Sequence, residues 1–492
     1  MYRDILKKVG TYSLATVAAR AASFVLLPVY TRFLSPADYG VMELLDVTVN
    51  IVGLLLGTRL AQALFFFYFE TDDEGQRERR VSTCFAATAI LGVLVAALAL
   101  SFSPYLSTLV FGTRSYSSYF RLLFCGFGFS LPLEMGLCYM RARGRADSYI
   151  GLALGNLGCN IALSVALIVV FRWGVKGMLT AGMVSYAAMA AVASWKSLSP
   201  IRLSFDSRFF LRLVRYSVPL GVSGLAVFLI HYGDRIFLRS WVTLGELGIY
   251  SLAYKMGMLI ATAHMPFLLH WYAQVSTILQ QPTGERVYIR TFTYVTMVLT
   301  MIVVGLSLLI QPLLRVMAAP AFAGAAPLVP WLAAAYLIRA VGAQLQSVFI
   351  AAGKPGLEAR VNSVGSLACL ASYALLIPKF KLWGAVAATL IGFTVILVYG
   401  FLAAQRVRAF RFEYGRLARI AVFAVMAVGL FYVLGPSGFW AQTMLACLFG
   451  GAFAAALWIA CLDSEERADF KRLLLDARQK MLAKRRAQEV PA

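Results

Sequence analysis

Acidic residues are scarce in this chain: 23 Asp and Glu stand against 45 Lys and Arg over 492 residues, and there are only three His. Charged residues of both signs make up 14% of the sequence, well short of the roughly 25% usual in soluble domains. The seven cysteines (Cys84, Cys125, Cys138, Cys159, Cys369, Cys447 and Cys461) all lie in apolar segments without CxxC spacing. They read as packing residues rather than a disulfide framework or zinc site. His231, His264 and His270 fall on different helical stripes or six residues apart, so interior hydrogen bonding is expected of them and no metal or other cofactor is. Large loops are also lacking. The longest connections, near 68–81 and 196–209, leave little material for a catalytic domain, which counts against a membrane glycosyltransferase, polymerase or ligase.

What the chain has instead is apolar sequence: 60% hydrophobic residues and a mean hydropathy of +0.76. Apolar runs recur from Val9 to Leu462, and about fourteen of them approach the ~20 residues that cross a hydrocarbon core. They are placed near 9–33, 39–67, 82–104, 116–140, 148–171, 175–195, 210–233, 247–274, 290–314, 327–352, 358–378, 382–404, 417–434 and 440–462. The fold class expected is an all-α polytopic membrane protein, since strands would alternate and no soluble core is so uniformly apolar. Lys and Arg favour one set of connections by roughly three to one, which predicts that both termini are cytoplasmic. The bias also accounts for the net charge of +22 without nucleic acid, because Arg77, Arg79 and Arg80, or Arg406, Arg408 and Arg411, would sit beside anionic lipid.

The sequence repeats internally. Tyr12-Ser13-Leu14-Ala15 returns as Tyr216-Ser217-Val218-Pro219, and Asp38-Tyr39-Gly40-Val41 as Glu246-Leu247-Gly248-Ile249. Later, Gly158 through Lys176-Gly177 matches Gly365 through Trp383-Gly384. Six spans therefore repeat as six, and because six is even the repeats are parallel, with cargo expected between two lobes. The organisation predicted is an N-terminal six-helix lobe over 1–200, a C-terminal six-helix lobe over 201–405, two additional helices over 406–462 and a basic cytoplasmic tail over 463–492. Phe470, Leu473, Leu474, Ala477 and Leu482 among Lys and Arg suggest an amphipathic helix in that tail.

Arg20, Arg59, Lys255 and Arg339 lie inside the apolar spans, where each costs about 2.5 to 3.5 kcal/mol at a helix centre. An anionic cargo is the sharper explanation, and pairing of these cations with Glu43, Asp46 or Glu134 the blander one. Helical spacing puts Arg20 on a stripe with Ser13, Thr16 and Ser23, and Lys255 with Ser251, Met258 and Thr262. Arg235 shares a stripe with Ser217, Gly221, Gly224 and His231, and Arg339 with Ala335, Gly342 and Gln346. Arg59, nine residues past Asn50, is out of phase; it either returns through a bend at Gly53 or Gly57 or snorkels to lipid phosphates. These five cations are the substrate-binding candidates. The acidic set, Glu43, Asp46, Glu134 and Asp234, supplies candidates for binding a proton or sodium ion, or else offsets the buried cations.

Phe33-Leu34-Ser35-Pro36-Ala37-Asp38-Tyr39-Gly40 resembles the first outer turn of the polysaccharide and lipid-linked oligosaccharide flippases of the multidrug/oligosaccharidyl-lipid/polysaccharide exporter superfamily. Asp234-Arg235-Ile236-Phe237-Leu238 with Gly248-Ile249-Tyr250-Ser251-Leu252-Ala253-Tyr254-Lys255, then Gly353-Lys354-Pro355 and Ile377-Pro378-Lys379, extend the resemblance over nearly the whole chain. It implies two six-helix lobes forming a V, rocker-switch alternation and outward movement of an undecaprenyl-diphosphate-linked glycan, such as an O-antigen, capsule or exopolysaccharide repeat unit. It implies a non-enzymatic protein of the bacterial inner membrane, with H+ or Na+ and the polysaccharide polymerase and chain-length machinery as candidate partners. In such flippases cavity cations meet the diphosphate or acidic sugars, and Arg20 and Lys255 occupy matching helices here. A multidrug or small-solute antiporter shares the architecture; the intramembrane cations favour the anionic cargo, because an exporter of cationic drugs calls for acidic cavities.

Overall fold

The computed structural model describes residues 26–56, 60–199, 201, 203–435 and 437–468. Arg20, Arg59 and the tail from 469 lie outside the described residues. Those described fold into helices and connecting turns, with no strand among them. In hydrocarbon every backbone amide needs a partner, and a helix supplies it within one segment.

In chain order the α-helices are α1 (Leu27–Phe33), α2 (Pro36–Leu56), α3 (Leu60–Tyr68), α4 (Glu74–Phe111), α5 (Ser117–Ala142), α6 (Ala146–Val165), α7 (Gly174–Leu198), α8 (Ser207–Leu238), α9 (Leu244–Gly257) and α10 (Leu259–Gln280). There follow α11 (Gly284–Met317), α12 (Val329–Ala351), α13 (Pro355–Val407), α14 (Tyr414–Leu434) and α15 (Phe439–Ala460). Ten helical segments among the described residues are long and apolar enough to cross a membrane. One of them is α13, whose 53 residues run through a break at Lys381, where the sequence predicts two spans. Another joins α9 and α10 into one 37-residue segment.

The chain divides into two compact units. The first runs through Leu252 and adds Leu314–Ala325 and Asn362–Gly392; the second comprises Ala253–Leu313, Ala326–Val361 and the chain from Phe393. In the first unit α5 packs extensively on α4 and α7. Its core gathers Leu64, Phe67, Phe85, Met135, Tyr139 and Ala193, all nearly inaccessible. Asp73 caps α4 by accepting from the Gly75 amide at 3.0 Å, and Asp206 caps α8 by accepting from the Arg208 and Phe209 amides, both at 3.0 Å.

The duplicated motif has a duplicated structure. Ser35 and Asp38 form a reciprocal cap at the start of α2: the Ser35 amide and hydroxyl donate to Asp38 Oδ2 at 3.0 and 2.8 Å, and the Asp38 amide donates to Ser35 Oγ at 3.2 Å. Thr243 and Glu246 repeat the pattern at α9, with 2.8, 3.0 and 3.2 Å for the same three bonds. The two capped turns pack against each other in a pseudo-symmetric crossing. A Cβ on Gly40 would strike the Leu244 carbonyl, and one on Gly248 the Pro36 carbonyl; only glycine lets the backbones approach so closely. Arg172 and Lys381, which lie within the matching later segments, are the two non-glycine residues with positive φ among the described residues, at 54° and 50°.

In the second unit α14 and α15 share a core of Ile420, Phe431, Ala446, Phe453 and Leu457 with Val304 and Leu308 of α11. Tyr432 donates to the Ser307 carbonyl at 3.1 Å, and Gln442 Nε2 to Gln311 Oε1 at 2.6 Å. A clasp closes one end of this group. Arg416 donates to Glu413 at 3.3 Å, to Asp463 at 2.5 Å and to Glu466 at 3.0 Å, while the Tyr294 hydroxyl donates to Glu466 at 2.7 Å. Burial by itself would raise the Glu466 carboxyl, but the bonds from Arg416, the Asp463 amide and Tyr294 outweigh it and hold the group at about 2.

Two predictions follow from this packing. Replacing Gly40 or Gly248 by alanine should destabilise the protein by about 1 to 3 kcal/mol through overpacking, read as a lower unfolding midpoint in detergent. Gly429→Ala, where a Cβ meets nothing within 4 Å, should leave the midpoint unchanged or raise it. Because the Glu466 carboxyl is depressed from 4.5 to about 2, the clasp stabilises fully above pH 4.5 and is lost as the pH falls towards 2. Glu466→Gln should lower the neutral-pH midpoint and flatten its acid dependence in that window, as differential scanning fluorimetry across pH would show.

Candidate functional site

Directly beneath the glycine crossing, the first unit buries a cluster of charge. Arg235 of α8 is 1% exposed, Asp234 0% and Glu43 of α2 2%. Arg235 Nε donates to Glu43 Oε1 at 3.1 Å. Its Nη1 donates to Asp234 Oδ1 and Oδ2 at 2.8 and 3.0 Å and to the His231 carbonyl at 2.8 Å. The guanidinium also lies over the rings of Tyr232 and Tyr250, 5.2 and 5.8 Å from their centroids. Tyr250 of α9 completes the cluster by donating its hydroxyl to Asp234 Oδ2 at 2.5 Å. Glu43 comes from the first repeat and Asp234, Arg235 and Tyr250 from the second, so the cluster bolts the two motifs together one turn from where their glycines meet.

The sequence separates these residues into different stripes, with Arg235 among the cargo cations and Glu43 and Asp234 among the ion-binding carboxylates. The structure brings them together as one hydrogen-bonded group. Tyr250 lies in the Gly248–Lys255 stretch that carries the family resemblance, but nothing in the sequence marks it as a partner of Asp234.

The remaining carboxylates occupy a different setting. Asp46, one turn beyond Glu43 on α2, and Glu134 on α5 are both exposed. Both act electrostatically on Tyr186 of α7, so two helices of the first unit direct acidic groups toward one phenol on a third. The Asn50 amide donates to the Asp46 carbonyl at 2.7 Å, which keeps this face of α2 polar for a further turn.

The second unit holds two of the candidate cations, Lys255 on α9 and Arg339 on α12, both partly buried. Arg339 keeps Nε and Nη1 screened from solvent and lies near enough to His264, Tyr272 and Glu358 to act on each electrostatically. Around it runs a polar seam between α10 and α12. Trp271 Nε1 donates to Ser347 Oγ at 3.1 Å, Ser347 Oγ to the Gln344 carbonyl at 2.6 Å, and Tyr288 of α11 to that same carbonyl at 3.1 Å. Gln344, Gln346 and Ser347 are 0%, 1% and 0% exposed. The spacing analysis finds Gln346 and misses Gln344 and Ser347, which sit off the Arg339 stripe. Among the described residues no group of His, Cys, Asp and Glu could hold a metal ion.

The helical bundle has counterparts among solved structures, which share its fold. The chain is similar to a lipid II flippase, MurJ, in an inward closed conformation, with a TM-score of 0.74 and 12% identity over 91% of this chain and 98% of that one. It is also similar to an inward-facing multidrug resistance MATE family transporter of the MOP superfamily, with a TM-score of 0.66 and 15% identity over 79% of this chain and 95% of that one. In sequence, the polysaccharide biosynthesis protein family matches residues 5–269, more than half of the chain, and the chain belongs to that family. The succinoglycan biosynthesis transport protein ExoT of Rhizobium meliloti (strain 1021) is 23% identical over 257 residues, 51% of this chain and 47% of that protein. The matched segment thus spans about half the length of this relative.

Removing one partner from the buried cluster leaves uncompensated charge, so Arg235→Ala or Glu43→Ala should cost about 3 to 5 kcal/mol. The double substitution Glu43→Ala with Arg235→Ala should cost less than the sum of the singles, as a double-mutant cycle on unfolding midpoints would measure. Additive losses would dissolve the cluster as an energetic unit.

Proposed function

We propose that the protein carries an undecaprenyl-diphosphate-linked oligosaccharide outward across the bacterial cytoplasmic membrane by alternating access, with both termini cytoplasmic. The observation that carries this reading is the placement of Lys255 and Arg339 inside helices of a membrane bundle. Such cations persist there when an anion meets them, and a diphosphate linked to a sugar offers one whose lipid tail can stay in the bilayer. Family membership supports a role in polysaccharide biosynthesis, and the similar proteins named for transport and lipid II flipping support movement of cargo over chemistry.

In this scheme the cations divide by role. Lys255 and Arg339, together with Arg20 and Arg59, attract the diphosphate or acidic sugars. Arg235 is already saturated by Glu43, Asp234 and the His231 carbonyl; it ties the outer turns of the two repeats, and release of that tie accompanies outward opening. Glu43 and Asp234 serve Arg235, so the carboxylates left to couple transport to H+ or Na+ are Asp46 and Glu134, whose exposure and shared neighbour Tyr186 suit an ion that comes and goes. The product emerges on the outer face, where a polymerase and chain-length machinery would receive it. A carrier of cationic drugs is the poorer match, since basic groups in the bundle would repel such cargo.

In proteoliposomes loaded with a fluorescent lipid-linked glycan, Lys255→Ala and Arg339→Ala should each slow translocation roughly tenfold or more, the loss of about 1.4 kcal/mol of attraction. Insertion and folding should match the parent protein. Unchanged rates in both would remove these residues from cargo binding. In the same vesicles Asp46→Asn or Glu134→Gln should abolish the response to an imposed pH or sodium gradient; flux indifferent to any gradient in the parent protein would end the coupling proposal.

A further inference from the structure

A recess of about 520 Å³ opens in the first unit between α4, α5, α7 and the connection leading into α8. Its wall is almost wholly apolar and includes Phe85, Ala89, Pro132, Leu198, Leu203 and Phe205. The volume falls within the range of built ligand sites, about 300 to 1,000 Å³.

The connection that forms one side is fixed to α4. The Ser204 amide donates to Ser82 Oγ at 2.9 Å and the Asp206 amide to Thr83 Oγ at 3.0 Å. These bonds hold Leu203 and Phe205 in place although they are 76% and 52% exposed. Exposed apolar side chains at this position suit contact with an apolar medium. Trp195, 69% exposed and next in sequence to the lining residue Ser194, has the character of an interfacial anchor.

Charge within three positions of the lining is mainly basic: Asp206, next to Phe205, is taken up in capping α8, and Glu134 lies on α5 two positions past Pro132. Arg79, Lys196 and Arg208 are all exposed, and each lies within three positions of a residue that lines the recess. The connection lies on the side that the Lys and Arg bias assigns to the cytoplasm, where the leaflet is rich in anionic lipid. An apolar slot beneath a basic rim complements one molecule in particular, a lipid with an acyl chain for the slot and a phosphate for the rim.

We propose that the recess is a binding site for an anionic phospholipid of the cytoplasmic leaflet, with one acyl chain against Phe85, Ala89 and Phe205 and the headgroup among Arg79, Lys196 and Arg208. The site is separate from the charge cluster and from Lys255 and Arg339, and it stands whether or not the cargo is a glycan lipid.

The test uses the full chain in phosphatidylcholine nanodiscs doped with phosphatidylglycerol or phosphatidylcholine carrying a photoreactive group in the acyl chain, and labelled peptides mapped by mass spectrometry. The phosphatidylglycerol probe should label the segments holding Phe85 to Ala89 and Leu198 to Phe205 in preference to the phosphatidylcholine probe. Lys196→Gln or Arg208→Gln, both on the exposed rim, should lower labelling by the anionic probe roughly fivefold per cation and spare the zwitterionic one. Ala89→Trp, which fills the slot, should reduce labelling by both. Equal labelling by the two probes, or labelling indifferent to the rim substitutions, would overturn the proposal. So would displacement of the probe by a polyprenyl phosphate at concentrations where added phosphatidylglycerol has no effect.

Discussion

A guanidinium buried at 1% exposure within a membrane bundle is tolerable only when its charge and donors are met, and the neighbourhood of Arg235 is arranged around that requirement. Two carboxylates, a backbone carbonyl and two aromatic faces converge on it. To reach it, Glu43 must come from the first repeat and Asp234 from the second, which fixes α2 against α8. The glycine crossing one turn away then becomes necessary, because a side chain at Gly40 or Gly248 would push α2 and α9 apart. In hydrocarbon, helices gain little by burying apolar surface against one another, so close backbone approach and polar ties must supply the specificity.

This arrangement also suits a transporter. A tie that is strong when complete and costly when half broken holds the two capped turns in one discrete arrangement, since partial separation would leave a buried ion unpaired. Alternation between states of this kind is what separates a carrier from a pore. The clasp on Arg416 is the second such group: it lies where α14 meets the start of the tail and holds the appended pair of helices to α11 through the nearly inaccessible side chains of Arg416 and Glu466, with Asp463 at its exposed edge.

Much of the fold was legible in the sequence because its signals are local. Apolar runs of bilayer length announce helices, and the repeat of Asp38-Tyr39-Gly40-Val41 as Glu246-Leu247-Gly248-Ile249 marks a duplicated turn, whose caps the structure then shows. The candidate site was legible in its residue types but not in its pairings. Spacing along one helix places Arg235 on a stripe with His231, yet Glu43 lies 192 positions away, and nothing in a stripe shows which distant helix will face it. Gln344 and Ser347 escaped notice for the same reason: helical phase relative to Arg339 ranks them as off-face, while α10 and α11 supply partners from outside that helix.

The sequence by itself determined that this is a polytopic helical protein with duplicated turns and cations within its spans, because chain hydropathy, capping and glycine placement act over a few residues. Only the tertiary structure decided which of those charges neutralise one another. Coulombic pairing in a medium of low dielectric depends on distances of a few ångströms between segments far apart in the chain. Those distances arise when the helices pack.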